Sequence, residues 1–199
     1  MIKNKNIMKN KKEIKHKDTI AWFDEIMNGC LSVLESRNKD YGQSICKYRP
    51  SSFTDRILTK LSRVRSVQEK RNIKVDEPIE ETLTDTINYV LFRIWRLKET
   101  GNVKKIDIKK IKKIILETKS ILEKKNHDYG ESWREMRVSS IVDEVLVKVS
   151  RVIEMENQII KDKKLEEKLN KKIFDSLYDI TNYLIFAIIH IKEGKNPMQ

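Results

Sequence analysis

The chain of 199 residues carries the same sequence pattern twice, and this duplication restricts it to folds built from two similar units. The segment Asn38-Lys39-Asp40-Tyr41-Gly42 reappears 88 residues later as Asn126-His127-Asp128-Tyr129-Gly130. Further along, the offset grows to 94, which indicates a six-residue insertion in the second copy. We therefore predict two tandem copies of one structural unit.

Polar residues are retained between the copies, whereas apolar positions have exchanged freely, as Leu61 against Val149 shows. The retained polar pairs include Arg49 and Arg137, Lys60 and Lys148, Arg63 and Arg151, Asp85 and Asp179, and Asn88 and Asn182. Retention of this kind indicates either a function or a structural need that both copies share.

Only five glycines and three prolines occur, which favours long helices over a sheet-rich fold. The fold class that we predict is all-α, with two tandem three-helix units packed as a pseudo-twofold helical bundle. The predicted divisions are a basic flexible tail at 1–17, a first repeat at 18–101, a linker at 102–108 and a second repeat at 109–194.

Within each unit, the first helix is predicted to end near the N-x-D-Y-G segment, at Arg37 and Lys125. The second helix is predicted to begin at Ser52 and Ser140, because each serine opens a capping-box pattern. The predicted spans are 52–69 and 140–156 for the second helix, and 79–99 and 165–193 for the third.

A formal net charge of +12 is compatible with a nucleic-acid partner, but an AT-rich bacterial genome would produce the same excess of lysine.

Two cysteines without a C-x-x-C spacing fit a reducing cytoplasm, which is the location that we expect. The longest apolar run, 183–191, is too short to span a bilayer, so no membrane partner is expected. Homo-oligomerisation remains open.

A stripe of acidic and amide residues on the third helix is the first candidate site. Its members are spaced i, i+4 and i+7 and therefore share one face: Glu81, Asp85 and Asn88 in the first copy, and Asp175, Asp179 and Asn182 in the second. The four carboxylates are candidate catalytic residues. Their partner is either a divalent ion such as Mg²⁺ or Arg63 and Arg151 in a structural ion pair.

Basic residues of the second helix and the N-x-D-Y-G segment form the other candidates. Candidate phosphate contacts are Lys60, Arg63, Lys148 and Arg151, with Asn88 and Asn182 as further substrate contacts. Tyr41 and Tyr129 are candidates for stacking on a base, and Asp40 and Asp128 for catalysis. Arg49 and Arg137 contact either an anion or those aspartates.

The string K-N-x-D-Y-G-x-S-W-R-x-M-R-x-S-S at 125–140, with R-P-S-S-x-T-D at 49–55 and the D-x-x-N-Y motifs, resembles the bacterial nucleotide modification associated domain family. The family name implies a link to nucleotide or base modification. The helical unit with acidic stripes also looks distantly like the MazG-type pyrophosphohydrolases, which hold Mg²⁺ with paired acidic motifs. That resemblance implies a metal role only for Asp85 and Asp179.

Three functions follow as hypotheses. The first is a protein that binds a (deoxy)nucleotide phosphate with Mg²⁺, including a nucleotide hydrolase or pyrophosphohydrolase. The second is a basic module that binds nucleic acid, and the third is a helical scaffold without a small ligand. Convergence of the N-x-D-Y-G segment, the second-helix cations and the third-helix stripe on one cleft would favour the first hypothesis.

Overall fold

The computed structural model describes residues 18–40, 44–71, 74–99, 101 and 103–199, with residues 38–40 described by their backbone. Its long helices are α1 (Thr19–Asp40), α2 (Pro50–Lys70), α3 (Ile79–Lys98), α4 (Ile108–Tyr129), α5 (Val138–Lys161) and α6 (Glu166–Lys192). Short 3-10 turns, Ser44–Lys47 and Ser132–Glu135, connect α1 to α2 and α4 to α5. A third one, Lys163–Leu165, precedes α6.

The all-α prediction is confirmed: the described residues form helices and connecting turns, without a strand. Helices α1–α3 form the first repeat and α4–α6 the second, so each copy contains three long helices, as the sequence predicted. Asp107 caps the N-terminus of α4 by accepting hydrogen bonds from Lys109 N and Lys110 N, and the predicted linker at 102–108 stays a prediction.

The predicted ends of the first helix are too early. Helix α4 continues through the N-x-D-Y segment to Tyr129, and Gly130 then takes a positive φ of 61°. A residue with a Cβ rarely adopts this conformation, which explains a glycine directly after the helix. The equivalent Gly42 lies outside the described residues.

The capping-box prediction for the second helix is wrong. Helices α2 and α5 begin at Pro50 and Val138, two residues before the predicted serines. Their N-cap residues are Arg49 and Arg137, neither of which makes a side-chain capping hydrogen bond. Proline is favoured in the first turn of a helix because it has no N–H to satisfy and its φ is already helical, so Pro50 sets the earlier start of α2.

The third helices, α3 and α6, lie at the centre of the molecule. Both are buried through their second halves, which are apolar on nearly every side. Helix α3 packs on α6, α2 packs on α5 and α1 contacts α4, so equivalent helices of the two repeats face one another. A pseudo-twofold axis would produce this pattern of pairs, and the exact symmetry stays a prediction. No helix of the described chain is both long and apolar enough to cross a membrane.

Candidate functional sites in both repeats

A pocket occurs at the same place in each repeat, between the end of the first helix, the 3-10 turn and the middle of the third helix. Corresponding lining residues of the first and second pockets are Leu34 and Leu122, Arg37 and Lys125, Ser44 and Ser132, Ile45 and Trp133, Tyr48 and Met136, Asp85 and Asp179, Asn88 and Asn182, Tyr89 and Tyr183, and Phe92 and Phe186. The duplication therefore extends from the sequence to a cavity.

The two cavities have volumes of about 390 Å³ and 460 Å³. Both lie within the range of roughly 300–1,000 Å³ that is typical of small-molecule sites. Their walls are mainly apolar, with a few charged or amide groups. Such a composition is typical of pockets that bind small molecules.

In the first pocket, both oxygens of the Asp85 carboxylate contact cations. Oδ1 lies 3.0 Å from Arg37 of α1, and Oδ2 accepts a hydrogen bond of 3.1 Å from Lys60 of α2. The Asp85 side chain is only 12% exposed. A carboxylate with this burial requires such partners, because an unpaired buried charge costs several kcal/mol.

The second pocket repeats this arrangement. Asp179 Oδ2 accepts a hydrogen bond of 3.1 Å from Lys148 of α5, and Oδ1 contacts Lys125 of α4. The sequence left two partners open for the third-helix stripe, a divalent ion or Arg63 and Arg151, and for Asp85 and Asp179 the pairing with the arginines is wrong. Each aspartate instead pairs with the lysine that lies one turn before the arginine in the second helix, Lys60 or Lys148. Its other partner is a basic residue near the end of the first helix of the repeat, Arg37 or Lys125.

Arg63 instead contacts the N-terminal end of α3. Its guanidinium donates to the Thr82 hydroxyl and, over 2.7 Å, to the backbone carbonyl of Glu77. Because α2 and α3 run in opposite directions, one turn further along α2 corresponds to one turn earlier along α3. In the second repeat, Arg151 is exposed and borders an open groove with Asp143 and Lys172, away from Asp179.

The two retained asparagines line the pockets with atoms that have no hydrogen-bond partner. Asn88 is 6% exposed and its Oδ1 is unpaired, while Asn182 is 3% exposed and both Oδ1 and Nδ2 are unpaired. Few buried polar groups in folded proteins lack a partner, and each one requires an explanation. Such an amide calls for a partner that the chain itself does not supply, such as a ligand or an ordered water.

The structure places some of the predicted site residues at the two pockets and others elsewhere on the molecule. Asp85, Asn88, Asp179, Asn182 and Tyr129 line the pockets, with Lys60 and Lys148 bonded to the aspartates. Other predicted site residues are exposed and lie outside the two pockets: Glu81, Asp175, Arg49, Arg137 and Asp128. Asp128 pairs with His127. The side chain of Asp40 and all of Tyr41 lie outside the described residues.

Several residues that line the pockets were not identified when the two repeats were compared. Arg37 and Lys125 conserve charge but not identity, so a search for identical residues passed over them. Trp133 was not identified because the equivalent residue of the first repeat is Ile45, which has no polar side-chain group. A comparison that scored charge as well as identity would have found the basic pair.

The described residues do not assemble a metal site of their own. No group of three His, Cys, Asp or Glu side chains within the described part of the chain is placed to hold a metal ion. In both pockets the aspartate oxygens are already engaged by cations. The Mg²⁺ role of Asp85 and Asp179 stays a prediction that this arrangement does not favour.

The fold and the paired cavities define an all-helical tandem-repeat protein with an equivalent pocket in each repeat. The family model for nucleotide modification associated domain 1 matches residues 37–97 and 125–191. The chain therefore belongs to that family and contains two copies of its domain, as the sequence resemblance indicated. No protein with curated annotation and no solved structure matches the chain.

Proposed function

We propose that each repeat binds a nucleotide, with the base in the pocket against the asparagine and the phosphate at the basic residue of the rim. The observation that carries this proposal is the unpaired, buried asparagine amide that lines the same cavity in both repeats. The association of the family with nucleotide modification supports it.

A buried amide without partners destabilises the free protein by about 1–3 kcal/mol. Both repeats retain the asparagine although neighbouring apolar positions have changed. An Asn side chain offers one acceptor and an N–H donor in one plane, which matches the edge of a nucleobase. Ligand binding would satisfy the amide and offset its cost, whereas a purely structural role would not require the groups to remain unpaired.

The charges at the second pocket favour an anionic group on the ligand. In the second repeat, two ammonium groups, Lys125 and Lys148, contact the single carboxylate of Asp179. The local charge is therefore positive by one unit, and the aspartate holds both lysines beside the cavity. In the first repeat, Arg37 occupies the place of Lys125 and offers a planar guanidinium for phosphate oxygens.

An exposed tyrosine at the mouth of the second pocket fits a lid for the base. Tyr129 is 74% exposed and lines the cavity, directly before Gly130. Aromatic rings that stack on bases contribute about 1–3 kcal/mol each. Tyr129, Asp179 and Asn182 border one cavity with Lys148 beside it, so the convergence expected under the nucleotide hypothesis is present in part, without Arg151 and Asp175.

The proposal is tested by replacing both amides with leucine, in the double variant Asn88→Leu and Asn182→Leu. Leucine has a similar volume and no polar atom, so the unpaired groups disappear. We expect the free energy of unfolding to rise by about 1–3 kcal/mol, and the binding of deoxynucleoside monophosphates and triphosphates to be lost in isothermal titration calorimetry. A gain in stability together with a loss of binding identifies a ligand site.

The matched control is Asn157→Leu on the exposed face of α5, which should change neither quantity. Titrations with and without Mg²⁺ separate a requirement for the ion from binding of the nucleotide alone. If the wild-type chain binds no nucleotide under either condition, the proposal is wrong and the scaffold hypothesis is favoured.

A further inference from the structure

We infer that the second repeat binds a phosphate group in the open groove beside Arg151, at the place that the Glu77 carboxylate fills in the first repeat. This groove is lined mainly by α5 and α6 and lies outside the two equivalent pockets. The inference goes beyond nucleotide binding in those pockets, because it assigns an anion site to a different surface of the second repeat.

In the first repeat, three groups hold the carboxylate of Glu77. Lys60 donates to Glu77 Oε1 over 3.0 Å, and the Thr82 hydroxyl donates to the same oxygen over 2.9 Å. Arg63 Nε lies 4.0 Å from Oε2, and the guanidinium also donates to the backbone carbonyl of Glu77. The first repeat therefore supplies a carboxylate of its own to these donors.

The second repeat retains the equivalents of all three donors: Lys148, Ser176 and Arg151. Arg151 and Ser176 line the groove, and Lys148 lies one turn before Arg151 on the same face of α5. Lys60 donates to two carboxylates at once, so the bond of Lys148 to Asp179 does not exclude a second anion. Guanidinium, ammonium and hydroxyl groups are common ligands of phosphate oxygens.

The second repeat has no carboxylate at the position of Glu77. Glu77 lies in the segment before α3, which begins at Ile79, whereas the equivalent residue, Lys171, lies inside α6. Lys171 carries the opposite charge and pairs with Glu167 one turn earlier. The change from an extended segment to a helix thus removes the carboxylate, while the donors remain.

The charged residues that line the groove leave an excess of positive charge. The cations are Arg65, Arg151 and Lys172, and the anions are Asp143 and Glu154. Asp143 lies 3.7 Å from Arg65. Arg151 makes no ion pair or side-chain hydrogen bond with any residue that the structure describes, Glu154 included. Its exposed guanidinium is therefore available to an anion from solution.

The behaviour of Glu77 indicates that this set of donors stabilises a negative charge. Burial on its own would raise the pKa of Glu77, but hydrogen bonds from Lys60 and Thr82 outweigh it and lower the pKa. Because the second repeat retains the donors without the carboxylate, its anion has to come from outside the chain.

The experiment titrates the full chain with inorganic phosphate and follows the backbone amide and arginine Nε–H signals by NMR, with sodium chloride at equal ionic strength as the reference. We expect the Arg151 signal to shift saturably with phosphate alone. Arg151→Gln should weaken phosphate binding at least about tenfold, because it removes a charge-assisted contact. Arg56→Gln is the matched control and should leave binding unchanged, since Arg56 is exposed and lines neither the groove nor either pocket.

The first repeat provides the converse test. Glu77→Ala removes the carboxylate that Lys60 and Arg63 contact, so this variant should bind a second phosphate and show it by shifts of the Arg63 signal. Glu123→Ala removes an exposed carboxylate of α4 and should add no site.

Two results would overturn the inference: phosphate shifts that do not exceed those of chloride, or Arg151→Gln binding phosphate as tightly as the wild type. It is also wrong if folded Glu77→Ala gains no second site, because Glu77 then does not occupy an anion site. Replacement of the exposed Arg151 should leave the fold intact, so that comparison remains decisive if Glu77→Ala misfolds.

Titration with a deoxynucleoside triphosphate separates two sources of the phosphate group. If Arg151→Gln weakens the triphosphate and inorganic phosphate equally, the groove takes a phosphate of the nucleotide. If only inorganic phosphate is weakened, the groove binds phosphate separately from the pocket. Binding of phosphate without binding of any nucleotide would refute the proposed function and leave the anion site standing.

Discussion

Lys60 lies between two carboxylates and joins three segments of the first repeat. Its ammonium donates to Glu77 over 3.0 Å and to Asp85 over 3.1 Å. Burial alone would lower the pKa of Lys60, but hydrogen bonds to Glu77 and Asp85 outweigh it and raise that pKa. The lysine therefore keeps its charge throughout the neutral range and fixes the position of the pocket aspartate.

The partner of Lys60 gives the first repeat a dependence on acid. Burial on its own would raise the pKa of Glu77, but hydrogen bonds from Lys60 and Thr82 outweigh it and lower the pKa below its ordinary value of 4.5. A carboxyl whose pKa is lower in the folded state contributes stability above pH 4.5, and that contribution is lost as the pH falls through the folded value.

We therefore expect Glu77→Gln to lower the free energy of unfolding by about 1 kcal/mol at pH 7. The difference from the wild type should shrink as the pH falls below 4.5, because the wild-type carboxyl is then protonated as well. Urea unfolding at a series of pH values measures it. Glu69→Gln, which alters an exposed ion pair with Arg65, is the control and should have little effect at any pH. A difference that stays constant down to pH 3 would contradict the assignment.

At the scale of the helix, the start of α2 and α5 determines where the pocket-bearing turns end. The 3-10 turns Ser44–Lys47 and Ser132–Glu135 end two residues before the N-cap residues Arg49 and Arg137. Helices α2 and α5 begin at the residue after each N-cap. Ser52 and Ser140 thus lie inside the first helical turn, where their side chains do not replace a missing backbone partner.

Ser52→Ala and Ser140→Ala should therefore change the free energy of unfolding by less than about 0.5 kcal/mol each. Asp107→Ala is the matched comparison, since the Asp107 carboxylate accepts from two backbone N–H groups at the start of α4. Loss of that cap should cost about 1 kcal/mol. Thermal unfolding of the three variants measures the contrast. Equal losses at all three positions would show that the serines act as caps.

Helix type and helix order followed from the sequence, because the apolar period and the duplication are independent of detailed packing. The helix starts did not, since a serine three residues before an acid predicts a cap only where the backbone is extended. At the pockets, Asp85 and Asn88 were found because both copies retain them. Arg37 was not, because its counterpart Lys125 shares its charge but not its identity, and Trp133 was not, because its counterpart is Ile45.

At the scale of the whole molecule, a buried ion pair between Arg93 and Glu156 helps to connect the two repeats. Arg93 of α3 is 3% exposed and donates to Glu156 of α5 over 2.8 Å and 3.1 Å, while Thr54 of α2 also donates to Glu156. Burial lowers the pKa of Arg93, and Glu156 opposes that shift. The equivalent positions of the other copies hold Ala187 and Gln68, so this contact has no counterpart across the interface.

Replacing Glu156 alone should therefore destabilise the whole protein far more than replacing both partners. We expect Glu156→Met to cost about 3–5 kcal/mol, because it leaves the Arg93 guanidinium buried without its counter-ion. The double variant with Arg93→Met should recover much of that loss, since apolar side chains of similar volume replace the pair.

Gln68→Met is the matched control and should cost only about 1 kcal/mol, because it removes one hydrogen bond, to the Pro197 carbonyl, and leaves no buried charge without a partner. Urea unfolding followed by circular dichroism measures the wild type, the single variants Glu156→Met and Arg93→Met, the double variant and Gln68→Met. If the double variant is as unstable as the sum of its two single variants, Arg93 and Glu156 do not interact, and the other contacts between the facing helices would hold the repeats together.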